Sequence, residues 1–144
     1  MARALAWSVK ASFRDYVAGV ADGIEERSAG VDLDERGRYI FPSVVDDGET
    51  LKFGGWVRIS AYRGILDVRV ADPWIESDGV RRRVSIAHPR AERIPELPRL
   101  VLAEFEGADQ NTPLLTFDGV RLLGDVYQVG AALDPIELVD IAVG

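Results

Sequence analysis

The sequence predicts a mostly β fold, an antiparallel β-sandwich or partly open barrel with one or two short helices. Three observations predict it. Short runs rich in β-branched and aromatic residues recur along the chain, separated by turns rich in Gly, Pro and Asp. One pair of runs, 56–71, aligns as a hairpin in a register that sorts apolar from polar residues. The clearest helical periodicity is confined to one short segment near the N-terminus. The length, 144 residues, suits a single domain spanning 1–144, with no internal repeat or linker. A chain of this size buries enough surface to need no covalent staples.

The elements follow in order. Residues 5–10 read as a strand. Ser12 then opens a helix, with Asp15 at capping-box spacing. Phe13, Tyr16, Val17 and Val20 form one apolar stripe at i, i+3, i+4 and i+7, which puts Tyr16 on the buried face. Arg14 and Asp15 point away, and Gly23 is the expected stop. A turn at 34–37 leads to a strand over 38–41, where Pro42 ends the strand or marks a sheet edge. A second turn is expected at 46–49. Phe53-Gly54-Gly55-Trp56 predicts a bulge or a close backbone approach.

The hairpin at 56–71 turns at Arg63-Gly64, with Tyr62 opposite Ile65. That register sets Ala61 against Leu66, Ile59 against Val68, and Val57 against Val70 on one core face. Arg58 against Arg69 and Ser60 against Asp67 take the other face. Asp72-Pro73 breaks the strand, and a second hairpin over 74–87 turns at Asp78-Gly79. Residues 88–99 hold three prolines and read as a loop, and 100–105 as a strand. Residues 114–123 form either a hairpin around Asp118-Gly119 or a short helix capped by Thr116. A last strand is expected over 136–143.

Composition removes several functions. The net charge is -7, which argues against a nucleic-acid partner, because phosphate binding runs on clustered Lys and Arg. The one basic run, Arg81-Arg82-Arg83, reads as a solvated strand edge. There is no cysteine, hence no disulfide, thiolate metal site or cysteine nucleophile. The single histidine, His88, sits before a proline and is expected to be an exposed loop residue. There is no phosphate-binding glycine loop and no nucleophile elbow. Asp32-x-Asp34 fails as a calcium loop, since Arg36 and Ser43 occupy ligand positions. Acidic pairs such as Glu25-Glu26 read as surface charge. A non-enzymatic role is expected. No secretory signal and no membrane-spanning run is seen, so the expected location is cytoplasmic, without membrane insertion.

Tyrosine is the side chain left that could ligate a hard ferric iron. A phenol titrates near 10 in water, so as a ligand it needs a cation, a hydrogen bond or a positive charge to lose its proton. Tyr16 lies on the helix stripe, Tyr62 at a hairpin tip, and Tyr127 before Gln128-Val129-Gly130; Tyr39 reads as an ordinary strand aromatic. On spacing alone each is either core filler or a ligand.

The run from Trp7 through Ser12, Phe13, Tyr16 and Val17 resembles the opening of the HtaA-type haem-binding domain of actinobacterial haem uptake. The resemblance continues through Phe41-Pro42, Phe53-Gly54-Gly55, Gly64-Ile65-Leu66-Asp67 and Ala71-Asp72-Pro73, and closes with Tyr127-Gln128-Val129-Gly130 and Leu133-Asp134-Pro135. It implies a β-rich domain that binds haem through an axial tyrosine. Tyr16 matches that iron ligand and Tyr127 a further aromatic near the haem. Tyr62 stands where the family has a histidine partnering the ligand, and Arg63 beside it offers positive charge. The implied partner is haem or a similar hydrophobic small molecule, and a second copy of the chain is a further expected partner. The competing expectation is a structural or interaction module that has lost haem binding, with Tyr16 packed in a closed core, or a pocket for another hydrophobic molecule.

Overall fold

The computed structural model describes residues 2–46 and 50–141. The turn expected at 46–49 lies outside them except for Asp46, and so do residues 142–143 of the last expected strand. The described chain runs β1 (Ala2–Trp7), α1 (Ala11–Ala18), β2 (Ile24–Arg27), β3 (Asp32–Leu33), β4 (Tyr39–Asp46), β5 (Leu51–Phe53), β6 (Trp56–Ala61), β7 (Leu66–Ala71), β8 (Trp74–Ser77), β9 (Arg82–Ile86), β10 (Leu100–Glu104), β11 (Leu114–Leu115), α2 (Phe117–Leu122) and β12 (Glu137–Ile141). A long antiparallel sheet in the order β11-β10-β9-β8-β5-β4-β1-β12, with β3 added beside β4, curls into a half-barrel. A second sheet has the order β2-β6-β7.

The β6–β7 register is the one the sequence predicts, from Trp56 opposite Ala71 to Ala61 opposite Leu66. Its core face carries Val57, Ile59, Val68 and Val70, all buried. Burying each such side chain is worth roughly 1.5–3 kcal/mol, and a one-residue slip would forfeit all of them together. These residues share one apolar cluster with Leu5, Trp7, Phe41, Phe53, Val84 and Leu102 of the long sheet.

Two of the crossings between the sheets are tied to each other. Gly54-Gly55 carries the chain from β5 to β6, and Asp72-Pro73 carries it back from β7 to β8. Asp72 N donates to Gly55 O at 2.8 Å, and Gly55 N donates to Asp72 Oδ1 at 3.1 Å. Gly55 has φ +103, and a Cβ there would stand 2.4 Å from Val31 Cγ2. The expected close approach is therefore real, and only glycine fits it.

Three expectations are corrected. Pro42 neither ends β4 nor marks an edge. It lies where β4, paired with β1 throughout 39–42, leaves β3 and takes up β5, so a missing N–H is tolerated at the handover. Arg82 and Arg83 are not on an edge, because β9 is paired with both β8 and β10. Arg82 lies over the Phe105 ring, and Arg83 sits 3.5 Å from Glu76. The first strand ends at Trp7, because Val9 takes φ +63 and breaks the extended run. The ambiguity at 114–123 resolves as helix: Thr116 Oγ1 accepts from Gly119 N at 3.0 Å, capping α2 after the short β11.

Candidate functional site

The site is built around α1, which is anchored from far along the chain. Ser12 does not cap the helix. Lys10 O already accepts from Phe13 N and Arg14 N, so Ser12 falls inside the first turn and Lys10 is the N-cap. The cap comes instead from Asp134, whose Oδ2 accepts from Ala11 N at 2.9 Å. Asp134 O accepts from Trp7 Nε1 at 2.8 Å, and Lys10 Nζ donates to Ala132 O at 2.8 Å. The helix stops at Gly19 rather than Gly23. Gly23 instead lets the chain turn tightly under the helix, since a Cβ there would lie 1.9 Å from Val17 O.

Tyr16 is not on the buried face. Phe13 and Val17 are buried, whereas Tyr16 is 56% exposed. At 3.6 residues per turn, Phe13 and Val17 lie about 40° apart on the helix, and Tyr16 lies about 60° from Phe13 on the side away from Val17. The stripe is real, and Tyr16 forms its rim. Arg14 does not point away either. It spans Glu25 through Nε at 2.7 Å, donates to Gly37 O at 2.8 Å, and covers the Tyr39 ring at 4.1 Å.

The rim position brings Tyr16 to the end of the β6–β7 hairpin, where its phenol oxygen is hydrogen-bonded to that of Tyr62. Arg63-Gly64 is the centre of the turn, as expected, with φ +56 and +87, and Ile65 N donates to Tyr62 O at 3.1 Å. Tyr62 itself has φ +55 and leaves the ladder, so it does not pair with Ile65. The carboxylate of Asp22 holds this turn, accepting from Tyr62 N at 3.0 Å and from Arg63 N at 2.7 Å.

The bond to Tyr16 raises the Tyr62 pKa above its ordinary value, and the nearby Asp22 charge adds to it. Either phenol can donate in this pair, and once Tyr16 is ionised only Tyr62 can. The Arg63 and Tyr62 amides in turn hold Asp22 below the usual carboxylate range.

Tyr127 reaches the same helix one turn earlier. Its ring meets Phe13 edge-on at 6.4 Å, and Lys10 Nζ lies 5.2 Å above it. Burial raises its pKa, with Ser12 opposing. The chain before it comes close to the hairpin at Gly124, where a Cβ would lie 3.1 Å from Leu66 Cδ1. Helix, hairpin end and the loop after α2 therefore converge, and they leave Tyr16, Tyr62, Ile65 and Val126 exposed. Tyr39 stands apart, fully buried beneath Arg14, its phenol held protonated by burial and by Glu25. His88 is half-buried rather than exposed, with Nδ1 accepting from Arg90 N at 3.1 Å.

An exposed phenol that accepts a hydrogen bond from another phenol can coordinate a hard trivalent cation once it loses its own proton. Among the described residues no group of three or more His, Cys, Asp or Glu side chains could hold a metal by itself. No described helix is long and apolar enough to cross a membrane. Spacing in the sequence could not reveal Asp22 or Asp134, since each acts on a partner at least 40 residues away.

The sequence model of the family described as Htaa matches residues 2–139. The fold is similar to the C-terminal domain of HtaA from Corynebacterium glutamicum, with TM-score 0.74 and 22% identity over 94% of this chain and 93% of that one. It is similar to the N-terminal domain of the same protein, with TM-score 0.68 and 23% identity over 96% and 95% of the two chains. It is also similar to the heme-binding protein HtaB of that organism, with TM-score 0.66 and 20% identity over 96% of each chain. No curated protein matches the chain.

Proposed function

The chain belongs to the HtaA family, and on that premise we propose that it is a non-enzymatic haem-binding domain that holds ferric haem through the Tyr16 phenolate, for haem handling or transfer. When bound, haem would supply a Lewis-acidic ferric iron that a tyrosine oxygen can ligate. The observation that carries the reading is the phenol pair. Tyr16 is exposed, so its oxygen can be approached from solvent, and Tyr62 is bonded to that same oxygen. The residues fit the group. Tyr16 offers an anionic oxygen to iron once deprotonated, Tyr62 donates a hydrogen bond to it, and Ile65, Val126 and Tyr127 offer apolar surface to a flat macrocycle.

Tyr62 gives the pair a chemistry different from that of an imidazole at the same place. A neutral imidazole can take up the proton that Tyr16 releases, whereas a protonated phenol can only donate to the resulting oxygen. The Tyr16 proton therefore leaves to solvent. The alternative of a module without ligand predicts Tyr16 in a closed core, and its exposure counts against that.

Hemin titration followed by absorbance tests the proposal. Wild type shifts the Soret band, Tyr16→Phe abolishes the shift, and Tyr62→Phe weakens binding. Unchanged hemin absorbance with wild type, or full binding by Tyr16→Phe, refutes it.

A further inference from the structure

We infer that Asp22 is a positioning residue for the phenol pair: its carboxylate fixes the hairpin turn that presents Tyr62 to Tyr16. The inference rests on the haem-binding reading above. Tyr62 and Arg63 take φ +55 and +56, a left-handed conformation uncommon outside Gly, Asn and Asp. Two successive left-handed residues with side chains need an external tie. The Asp22 carboxylate supplies it, one oxygen for each amide, at 3.0 Å to Tyr62 N and 2.7 Å to Arg63 N. Successive backbone N–H groups converging on one anion make a site of the kind that binds phosphate elsewhere. Here the anion belongs to the chain.

The position of Asp22 is itself fixed. It follows α1, which carries Tyr16, and precedes β2, which pairs with β6 from Ile24 opposite Ser60. Gly23 N donates to Val20 O at 3.0 Å, and Gly23 lacks the Cβ that would strike Val17 O. One carboxylate thus links the segment behind Tyr16 to the turn in front of Tyr62. Without it the turn relaxes towards negative φ, and the Tyr62 phenol moves off the Tyr16 oxygen.

Two readouts test this. In the protein without hemin, amide hydrogen exchange and φ-dependent NMR couplings at Tyr62 and Arg63 report the turn. Asp22→Ala removes the protection of both amides and the positive-φ couplings. Asp22→Asn keeps one acceptor oxygen and an intermediate signal. With hemin, Asp22→Ala raises the dissociation constant on the order of tenfold, as a lost supporting bond does. It changes the ferric charge-transfer band as Tyr62→Phe does, and the double variant loses no more than Tyr62→Phe alone. Wild-type hemin affinity in Asp22→Ala, unchanged amide exchange, or an equal further loss in the Tyr62→Phe background overturns the inference. If Asp22→Ala does not fold, Asp22→Asn decides: wild-type exchange and affinity overturn the role, and intermediate values of both support it. No hemin response in wild type refutes the haem reading itself. A response untouched at position 22 overturns Asp22 alone.

Discussion

Replacing Asp134 by alanine isolates the anchor of α1. The side chain accepts one hydrogen bond, from Ala11 N at 2.9 Å, while its backbone bonds to Trp7 and Val9 survive the substitution. Losing a side-chain N-cap costs about 1 kcal/mol. Losing a negative charge at a helix N-terminus costs a further ~0.3–1 kcal/mol at an exposed site. An eight-residue helix has little stability of its own, so the loss is felt by the whole fold rather than by local fraying. The expected destabilisation is about 1–2 kcal/mol, a fall in Tm of roughly 3–7 °C for a chain of this length. Asp134→Asn keeps an acceptor oxygen and gives up only the charge, so its cost stays below about 1 kcal/mol. Urea unfolding monitored by far-ultraviolet circular dichroism measures both, with m unchanged. Equal losses in the two variants, or a loss in Asp134→Ala within about 0.3 kcal/mol of zero, would refute the capping argument.

Three further outcomes are expected. Gly119→Ala destabilises by about 1–3 kcal/mol although alanine is the better helix former, because its Cβ would lie 2.1 Å from Leu102 O and push α2 off β10; an increase in urea midpoint would contradict this. Arg63→Asn stabilises by about 0.5 kcal/mol, since asparagine tolerates the φ of +56 better than arginine, and a lowered midpoint would count against the turn assignment. Acid weakens the fold: burial alone would raise Glu25, yet Arg14 holds it low, while Arg58 lowers Asp67 and the Arg81 amide lowers Asp78. Depressed folded-state values give stability that is present above the ordinary carboxylate range and lost as pH falls through the lower folded values. Urea midpoints should therefore hold from pH 7 to about 5 and drop below about 4.

The fold was legible wherever one segment carried both halves of a pairing. The 56–71 register could be tested within the sequence because alternation assigns every residue to a face, and the pairing agrees from Trp56 opposite Ala71 to Ala61 opposite Leu66, failing at the tip where Tyr62 leaves the ladder. Pairing partners of β9 were not legible, so its arginines looked like an edge. The helix was legible but its cap was not, because Ser12 mimics a cap locally while Asp134 acts from 123 residues away. Tyr16 shows the limit of periodicity: a stripe tells which side of a helix is apolar, and the neighbouring elements decide where its rim emerges. The pairing of Tyr16 with Tyr62 had no signal in spacing, and only the family resemblance placed both near one centre. Asp22 had no signal at all, since an aspartate before a glycine reads as any turn.

The anchoring of α1 also sets an order in time. Trp7 and Ala11 wait for Asp134, 127 and 123 residues later, and β1 waits for β12 from Ala2 to Ala6. At about 5–20 residues per second, a chain growing on the ribosome makes this helix some 6–25 s before it makes the cap that holds it. Closing that loop costs ~4 kcal/mol of chain entropy. Tyr16 and Tyr62, 46 residues apart, can meet sooner, but on a helix still unmoored. The helix is thus made well before it settles, and the phenol pair gains its fixed geometry only once Asp134 has emerged.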